Sequence, residues 1–308
     1  MIRAKKTRST LEALSTEQLL PSARNLDRMS SIEIARLINR EDATIATTVR
    51  RALPQIARAI DVVADAIREG GRLIYVGAGT SGRLGALDAS EIPPTFNVSP
   101  RTVQFIMAGG PEALGASTEA SEDDIRPAIR EMKKRKPGKR DVVLGIATSG
   151  RTPFTIAAVK YARRRGACTI ALTCNPNSPL ERAADFSIVT EVGREVLAGS
   201  SRMKAGTAHK MVLNMISTGA MTRLGYVYGN LMVNVWTKNE KLSQRAVRIV
   251  AQATGTDQKT AAAALKAADD RTPVAVVMLA ARVTPSNAAS ALKKSQGHVR
   301  QAIALAKN

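Results

Sequence analysis

The chain has 308 residues, of which 44% are apolar and only 3% aromatic, and its formal net charge is +20. This length suits one large α/β domain with a small second domain. The chain has only two cysteines, Cys168 and Cys174, which argues against a disulfide framework. Its two histidines have no cysteine or histidine neighbours at the spacing of zinc ligands, which argues against a zinc site. No apolar run approaches the ~18–20 residues of a membrane span, and the basic N-terminus lacks the apolar core of a signal peptide. We therefore expect a cytoplasmic protein that does not bind membranes.

The positive charge is densest between residues 133 and 140. This run contains Lys133, Lys134, Arg135, Lys136, Lys139 and Arg140, and three arginines follow at 163–165. Such residues can displace counterions from a nucleic acid, or they can form an ordinary solvated face. Pro137 and Gly138 give the run the composition of a turn, so we favour the solvated face and do not expect nucleic acid as a partner.

The predicted elements begin with helices. Ser30 or Ser31 can cap a helix through Ile38, with Glu33 in its first turn, and a second helix is predicted from about Pro54 to Glu69. Short apolar runs then alternate with helical stretches, which indicates a parallel sheet covered on both faces. Five strands are predicted, at Leu73–Val76, Val103–Met107, Val142–Ile146, Thr169–Thr173 and Phe186–Val189. They define a doubly wound α/β fold, with ligands at the carboxyl ends of the strands.

The rest of the chain reads as helical. Long helices are predicted over Ala205–Leu224 and Leu231–Ala251, and Gly255 has the polar surroundings of a boundary. Three short helices at Asp257–Ala268, Pro273–Ala281 and Ser286–Lys294 precede a tail helix. We therefore predict two domains, residues 1–250 with the sheet and N-terminal helices, and residues 251–308 as a small helical bundle.

A strand–Thr-Ser-Gly–helix pattern occurs twice, and it is the strongest functional signal. The first loop contains Thr80, Ser81 and Gly82, and the second contains Thr148, Ser149 and Gly150, with Thr152 close behind. A helix N-terminus offers unpaired N–H donors and a partial positive charge, and hydroxyls complete a shell around a phosphate. A single such loop could simply cap a helix, but its repetition in two equivalent units favours phosphate binding.

Two common nucleotide signatures do not account for these loops. The chain contains no Gly-x-x-x-x-Gly-Lys-Ser/Thr sequence, so a P-loop is unsupported. Gly77, Gly79 and Gly82 fit the dinucleotide pattern Gly-x-Gly-x-x-Gly. However, the strand that should end in an acidic residue is followed by Gly109 and Gly110. A dinucleotide site is therefore not supported.

The repeated loops resemble those of the phosphosugar-binding SIS (sugar isomerase) fold. Further segments resemble the N-acetylmuramic acid 6-phosphate etherase family over almost the whole chain: Ser22–Ile38, Gly77–Phe96, Gly109–Asp124, Ala147–Thr155, Leu172–Pro179, Gly199–Leu213 and Gly229–Leu242. The sequences DASE-x-PPT and GSSRMKAGT are the most specific. The C-terminal helices are similar in position to the ubiquitin-associated-like bundle of that family.

The resemblance implies a reaction and an assembly. The family cleaves the ether between D-lactate and C3 of N-acetylmuramic acid 6-phosphate, during recycling of cell-wall sugar. It releases N-acetylglucosamine 6-phosphate and D-lactate, needs no metal or redox cofactor, and is usually a homodimer. An alkyl ether resists direct hydrolysis, whereas removal of the C2 proton of the open-chain aldehyde lets lactate leave from C3 before water adds. Two acid/base groups suffice for this route.

Two carboxylates match the family motif. Glu91 matches the acid that protonates departing lactate, and Glu122 matches the second catalytic carboxylate, which we assign as the base at C2. From the residues alone, Glu91 could instead pair with an arginine near the helix end that Pro93 and Pro94 are expected to impose. Glu122 could belong to an acidic helix start, and Glu119 is the alternative choice for its role.

A third group of donors is predicted before the helix at Ala205. Ser200, Ser201 and Lys204 can contact the phosphate or sugar, or they can serve the helix start alone. His209, further along that helix, is more typical of a packed or solvent-facing residue than of a catalyst.

Two other functions remain open at this point. The SIS fold also serves in sugar-phosphate-sensing regulators, which would need both loops but no catalytic carboxylates. An aldose–ketose isomerase would use the same open-chain aldehyde and a carboxylate base. The carboxylates favour an enzyme over a sensor, and the etherase-like segments favour the etherase over the isomerase.

Overall fold

The computed structural model describes residues 14–116, 119–235 and 240–307, without the side chains of Glu119, Ala120 and Lys241. The chain divides into two compact units. The first unit is Met1–Ala89 with Arg101–Ile216, and the second is Ser90–Pro100 with Ser217–Asn308. The first contains the sheet, and the second is mainly helical. The division into domains at residues 250 and 251 stays a prediction.

Five parallel strands form the sheet, in the order β2-β1-β3-β4-β5. They are β1 (Leu73–Gly77), β2 (Val103–Met107), β3 (Val142–Ile146), β4 (Cys168–Thr173) and β5 (Phe186–Val189). The prediction of a five-stranded, doubly wound sheet is therefore confirmed. Every residue of β1 and β3 is buried. This explains why these strands read as continuous apolar runs instead of alternating ones.

Helices flank the sheet of the first unit. They are α1 (Ser31–Asp42), α2 (Ile45–Arg51), α3 (Leu53–Arg68), α4 (Gly79–Phe96), α5 (Ile125–Arg135), α6 (Pro153–Arg164), α7 (Pro179–Ala183) and α8 (Lys204–Arg223). The N–H of Ser30 donates to Glu33 Oε2 at 2.8 Å, so the predicted cap of α1 is confirmed. On one face of the sheet, Val76 and Val143 pack in a core with Met132 of α5 and Phe154 of α6.

Helix α4 continues past the two prolines that were expected to end it. It runs through Pro93 and Pro94 to Phe96, and Asn97 follows in the left-handed region with a φ of 53°. Ile92 and Phe96 are each only 4% exposed. We attribute the extra turn to their burial, which offsets the two backbone hydrogen bonds that prolines cannot donate.

The second unit ends in five helices, α9 (Glu240–Thr254), α10 (Gln258–Ala267), α11 (Thr272–Ala281), α12 (Pro285–Lys294) and α13 (Val299–Lys307). The prediction of a helix over Leu231–Ala251 is wrong at the start of that range. Leu231 pairs with Tyr228 in an isolated β-bridge, and Val233 and Val235 are buried while Asn234 between them is partly exposed. Residues 233 and 234 form a turn, and the Val233 N–H donates to the Leu231 carbonyl at 2.9 Å, so no helix begins at Leu231.

Side chains from residues 233–235 and from the helices share one core. Val233 and Val250 belong to it together with Leu265, Val276 and Val299. No helix in the described ranges is both long enough and apolar enough to cross a membrane.

Candidate active site

A cavity lies at the point where the strand order reverses. Strands β1 and β3 are neighbours, with Gly77 opposite Ile146 at their carboxyl ends. In doubly wound sheets this switch point is where ligands bind. The cavity has a volume of about 160 Å³. Its hydroxyl-bearing lining residues are Thr16, Thr80, Ser81, Thr148, Ser149, Thr152 and Ser201, and its carboxylates are Glu17 and Glu122.

The first Thr-Ser-Gly loop opens α4 as predicted. Gly79 begins the helix with a φ of 52°, and Thr80 and Ser81 line the cavity. Gly82 has a packing role instead, because a Cβ there would lie 2.8 Å from the Gly77 carbonyl oxygen and 2.9 Å from Met107 Cγ. The glycine therefore lets the helix approach the strand closely, which places the two hydroxyl residues at the cavity.

The second loop differs from the first, and the expectation that it directly opens a helix is wrong. Residues 148–150 form a turn in which the Gly150 N–H donates to the Ala147 carbonyl at 2.9 Å. The backbone of Gly150 is in the left-handed region with a φ of 63°, and α6 begins only at Pro153. Thr152 is held outside the helix because a residue before proline avoids the helical region. Thr148, Ser149 and Thr152 line the cavity, whereas Gly150 does not.

Buried donors fix the second loop from behind. The carbonyl oxygen of Thr148 accepts hydrogen bonds from Asn175 Nδ2 at 2.9 Å, from the Cys174 N–H at 3.0 Å and from Thr173 Oγ1 at 3.1 Å. Asn175 is only 3% exposed. Three donors on one carbonyl hold the loop in a single position without using any group that faces the cavity.

The same asparagine holds an N-terminal turn that sequence reasoning missed. Asn175 Nδ2 also donates to Thr16 Oγ1 at 3.4 Å, and the Gly199 N–H donates to the Thr16 carbonyl at 3.1 Å. The turn Ser15–Glu17 thereby brings Thr16 and Glu17 to the cavity. The contact with Asn175 spans 159 positions of the chain and the contact with Gly199 spans more, so no local pattern could have indicated them.

The predicted catalytic carboxylates lie in different places. Glu122 ends the short helix Glu119–Glu122 and lines the cavity. A Cβ on Gly79 would lie 3.1 Å from Glu122 Oε1, so the carboxylate is beside the N-terminus of α4, whose dipole favours a negative charge. Glu91 is an exposed residue of α4 in the second unit and is not part of the cavity lining. The side chain of Glu119 lies outside the described part of the chain.

Only one of the three residues in the third predicted donor group reaches the cavity. Ser201 lines the cavity, whereas Ser200 and Lys204 do not. The Lys204 side chain is 5% exposed, and its Nζ lies 2.8 Å from Glu41 Oε2. Glu195 accepts from the N–H groups of Lys204 and Ala205 at 3.0 and 2.9 Å, and burial raises the pKa of this carboxyl. In this arrangement, Lys204 could reach a phosphate only by breaking its buried ion pair.

His209 is a core residue, so of the packed and solvent-facing positions that the sequence left open the structure shows the packed one. Its Nε2 lies 3.5 Å from Cys174 Sγ, and its Nδ1 has no hydrogen-bond partner in the described part of the chain. Burial lowers the pKa of His209 to about 4 and raises the pKa of Cys174 to about 12. Both side chains are therefore neutral near pH 7.

The neutral His209 makes stability depend on pH. The unfolded chain takes up a proton near pH 6.5, whereas the folded chain takes it up only near pH 4. Between these values the unfolded state binds more protons, so the free energy of unfolding falls as the pH falls, by about 3 kcal/mol in all. We expect His209→Gln to flatten this dependence between pH 6.5 and 4 in urea titrations. Parallel curves for wild type and variant would contradict the assignment.

Metal ligation has no candidate cluster in the residues that the structure describes. Within those ranges, no three histidine, cysteine, aspartate or glutamate side chains gather in a way that could hold an ion. The functional groups at the cavity are instead hydroxyls, backbone N–H groups of a helix start, and carboxylates.

The fold and the cavity together define a SIS-domain protein. Residues 127–218 match the SIS domain, and residues 55–163 match the glucokinase regulatory protein N-terminal SIS domain. The N-acetylmuramic acid 6-phosphate etherase of Symbiobacterium thermophilum is 54% identical over 89% of this chain and 91% of that protein. The enzyme of the same name from Streptomyces avermitilis is 50% identical over 96% of this chain and 95% of that protein. The chain belongs to the N-acetylmuramic acid 6-phosphate etherase family, as its motifs had indicated.

Proposed function

We propose that this chain is a carbon–oxygen lyase that cleaves the D-lactyl ether of N-acetylmuramic acid 6-phosphate. The products are N-acetylglucosamine 6-phosphate and D-lactate, and the reaction serves the recycling of cell-wall amino sugars. The observation that carries this proposal is the cavity at the sheet switch point, where hydroxyls from both repeated loops face the same space as a carboxylate. Membership of the family supports the choice of substrate.

The phosphate binds among the hydroxyls of the two loops. Thr80 and Ser81 come from the start of α4, and Thr148, Ser149 and Thr152 come from the loop before α6. The N-terminus of α4 adds positive potential and N–H donors. Among the described lining residues there is no lysine or arginine, so neutral donors and the helix dipole provide the recognition. Ser201 contributes a further hydroxyl.

Gly82, Gly150, Ser200 and Lys204 act around this subsite. Gly82 allows the close approach of α4 to β1, and Gly150 makes the turn of the second loop. Ser200 lies next to Ser201, and we propose that it supports the position of that residue. Lys204 anchors the start of α8 through Glu41, and contact with substrate would follow only a rearrangement of that pair.

Cleavage proceeds by elimination followed by addition of water. The ring opens, so that the C2 proton lies α to an aldehyde, and the Glu122 carboxylate removes it. The C3–oxygen bond then breaks, and Glu91 in its acid form gives a proton to the departing lactate, an assignment that rests on the family motif because Glu91 does not line the cavity. Water adds to C3 of the unsaturated intermediate, and a proton returns to C2. The overall change consumes one water molecule and no oxidant, reductant or metal.

Isotope incorporation tests this route. In D₂O we expect the N-acetylglucosamine 6-phosphate product to carry one deuterium at C2, because the proton removed there is replaced from solvent. In H₂¹⁸O the new oxygen is expected at C3, because the C3–oxygen bond is the one that breaks. Mass spectrometry and NMR of the product provide the readout. Product formation with a retained C2 proton, or with the ¹⁸O on lactate, would contradict the elimination route.

We further propose that the protein is a cytoplasmic homodimer. Large apolar side chains remain exposed in the first unit, among them Leu19 at 79%, Ile32 at 56% and Leu53 at 44%. A second copy of the chain that packs against these residues would remove their apolar surface from water. Light scattering of the purified protein would show a mass of one chain if this proposal is wrong. Cytoplasmic location is supported by a phosphorylated substrate that does not cross membranes unaided, and cell fractionation tests it.

Residues 251–308 are proposed to form the small C-terminal helical domain. The short helices α10, α11, α12 and α13 fall within this range, and their buried apolar residues belong to one core, to which Val233 and Val250 from before this range also contribute. Limited proteolysis should cut near Gly255, an exposed residue in the connection between α9 and α10, before it cuts within these helices. Initial cleavage elsewhere in the C-terminal unit would contradict the boundary.

A further inference from the structure

Glu195 is a buried carboxylate that the proposed reaction does not use. It lies in the segment between β5 and α8 and is 0% exposed. Its Oε2 accepts a hydrogen bond from the Lys204 N–H at 3.0 Å, and its Oε1 accepts one from the Ala205 N–H at 2.9 Å. The two oxygens of one side chain therefore hold the first two residues of α8.

The environment of this carboxylate compensates for its burial. The start of a helix carries unpaired N–H donors and a partial positive charge, and Glu195 accepts from two of those donors. Burial raises the pKa of Glu195, whereas the two N–H groups and the charge of Lys204 act in the opposite direction. Removal of the carboxylate would leave two N–H groups at the helix start without an acceptor, which is unfavourable in the interior.

The first turn of α8 adjoins the proposed phosphate subsite. Ser201, three residues before the helix, lines the cavity, and the turn at residues 201–203 runs directly into the helix. A Cβ on Gly206 would lie 3.5 Å from the Ser201 carbonyl oxygen and 3.5 Å from Thr80 Cγ2 of the first loop. The position of the helix start therefore determines where Ser201 lies.

We propose that Glu195 is a positioning residue for phosphate binding, because it fixes the start of α8 and thereby places the Ser201 hydroxyl at the cavity. Glu195 does not itself line the cavity, so it acts through Ser201 and not by contact with the substrate. Its carboxylate also occupies two N–H donors of α8 that could otherwise attract an anion. This inference rests on the phosphate subsite of the proposed function.

The test combines the kinetics of D-lactate release with calorimetric titration of N-acetylglucosamine 6-phosphate, for wild type and Glu195→Gln. Glutamine keeps the shape of the side chain but has one acceptor oxygen, so one N–H of the helix start loses its acceptor and Ser201 shifts. We expect KM to rise about tenfold and product affinity to fall about tenfold, the effect of one weakened hydrogen bond to a charged group. A purely structural role would instead reduce the amount of folded enzyme, which lowers the apparent kcat and leaves KM unchanged.

A double-mutant cycle tests the route through Ser201. Ser201→Ala removes the hydroxyl that Glu195 is proposed to place. In that background, Glu195→Gln is therefore expected to change KM and product affinity by no more than about twofold. The full tenfold effect in the Ser201→Ala background would overturn the proposal, as would equal product affinity in wild type and folded Glu195→Gln.

Glu33→Gln is the matched control. It alters the carboxylate at another helix start of the first unit, where Glu33 accepts from the Ser30 N–H, and Glu33 does not line the cavity. We expect wild-type KM and product affinity in this variant, and a tenfold loss of affinity would overturn the proposal.

A second variant covers a failure of Glu195→Gln to fold. Glu195→Asp keeps the charge but is shorter by one methylene, so it draws the helix start away from its position and is also expected to weaken product binding. Unchanged affinity in this variant would then overturn the proposal. Because the titration needs no catalysis, it tests the role of Glu195 even if wild type releases no D-lactate, a result that would contradict only the proposed reaction.

Discussion

Replacement of Glu122 by glutamine is expected to lower the rate of D-lactate release by about 10²–10⁴-fold, the usual contribution of a general base. The carboxylate lines the cavity and lies beside the N-terminus of α4. Glutamine preserves the size of the side chain but cannot accept the C2 proton. We therefore expect kcat to fall while the affinity for the product N-acetylglucosamine 6-phosphate changes little.

Glu112→Gln is the matched control. Glu112 is an exposed residue of the short helix Pro111–Leu114 and does not line the cavity. Its replacement removes the same charge and is expected to leave kcat within about twofold of wild type. Surface substitutions away from the active site and the core usually have small effects. If Glu122→Gln retained activity comparable to that of Glu112→Gln, Glu122 would not be the base.

Replacement of Gly150 by alanine is expected to destabilise the first unit by about 2–5 kcal/mol. The left-handed φ of 63° costs an alanine about 1–2 kcal/mol. The added Cβ would also lie 2.3 Å from the Cβ and Oγ of Ser178, which costs roughly 1–3 kcal/mol. Ser178 cannot easily move, because its N–H donates to Glu181 Oε2 at 3.0 Å and its Oγ accepts from the Glu181 N–H at 3.3 Å.

Gly193→Ala separates the two costs. Gly193 belongs to the same unit and has a similar φ of 70°, but no atom lies within 4 Å of the position that its Cβ would occupy. Urea unfolding should therefore show a loss of about 1–2 kcal/mol for this control and a larger loss for Gly150→Ala. Equal losses would mean that Ser178 adapts freely and that the second loop is less constrained than the contacts indicate.

The sheet and the two loops could be predicted because their signals are local. Strands such as Leu73–Gly77 are buried on both faces, so five consecutive apolar or small residues identify them. Thr80 and Thr148 lie in the loops that follow β1 and β3, whose carboxyl ends meet at the switch point of the sheet. The hydroxyl residues of both loops therefore reach one cavity, as the repeated pattern had indicated.

The features that sequence reasoning missed depend on contacts between distant residues. Thr16 and Glu17 reach the cavity through Asn175, about 160 residues later in the chain. Lys204 has the composition of a phosphate donor, but Glu41 provides a nearby carboxylate that only the folded chain reveals. In both cases the side-chain partner is fixed by tertiary packing, and no spacing along the chain encodes it.

Errors in helix boundaries have a similar origin. Pro93 and Pro94 have the usual signature of a helix end, yet α4 continues because Ile92 and Phe96 are buried. The segment from Leu231 to Val235 has apolar residues that suit either a helix or an extended chain. Its pairing with Tyr228 and the turn at residues 233 and 234 exclude a helix there.

The measurement that tests the central claim most directly is D-lactate release from N-acetylmuramic acid 6-phosphate by the purified full-length protein, without added metal. We expect D-lactate and N-acetylglucosamine 6-phosphate in equal amounts from wild type, and large losses in Glu91→Ala and Glu122→Ala. A folded wild-type protein that binds the sugar phosphate but releases no D-lactate would contradict the proposed activity and indicate a sugar-phosphate sensor instead.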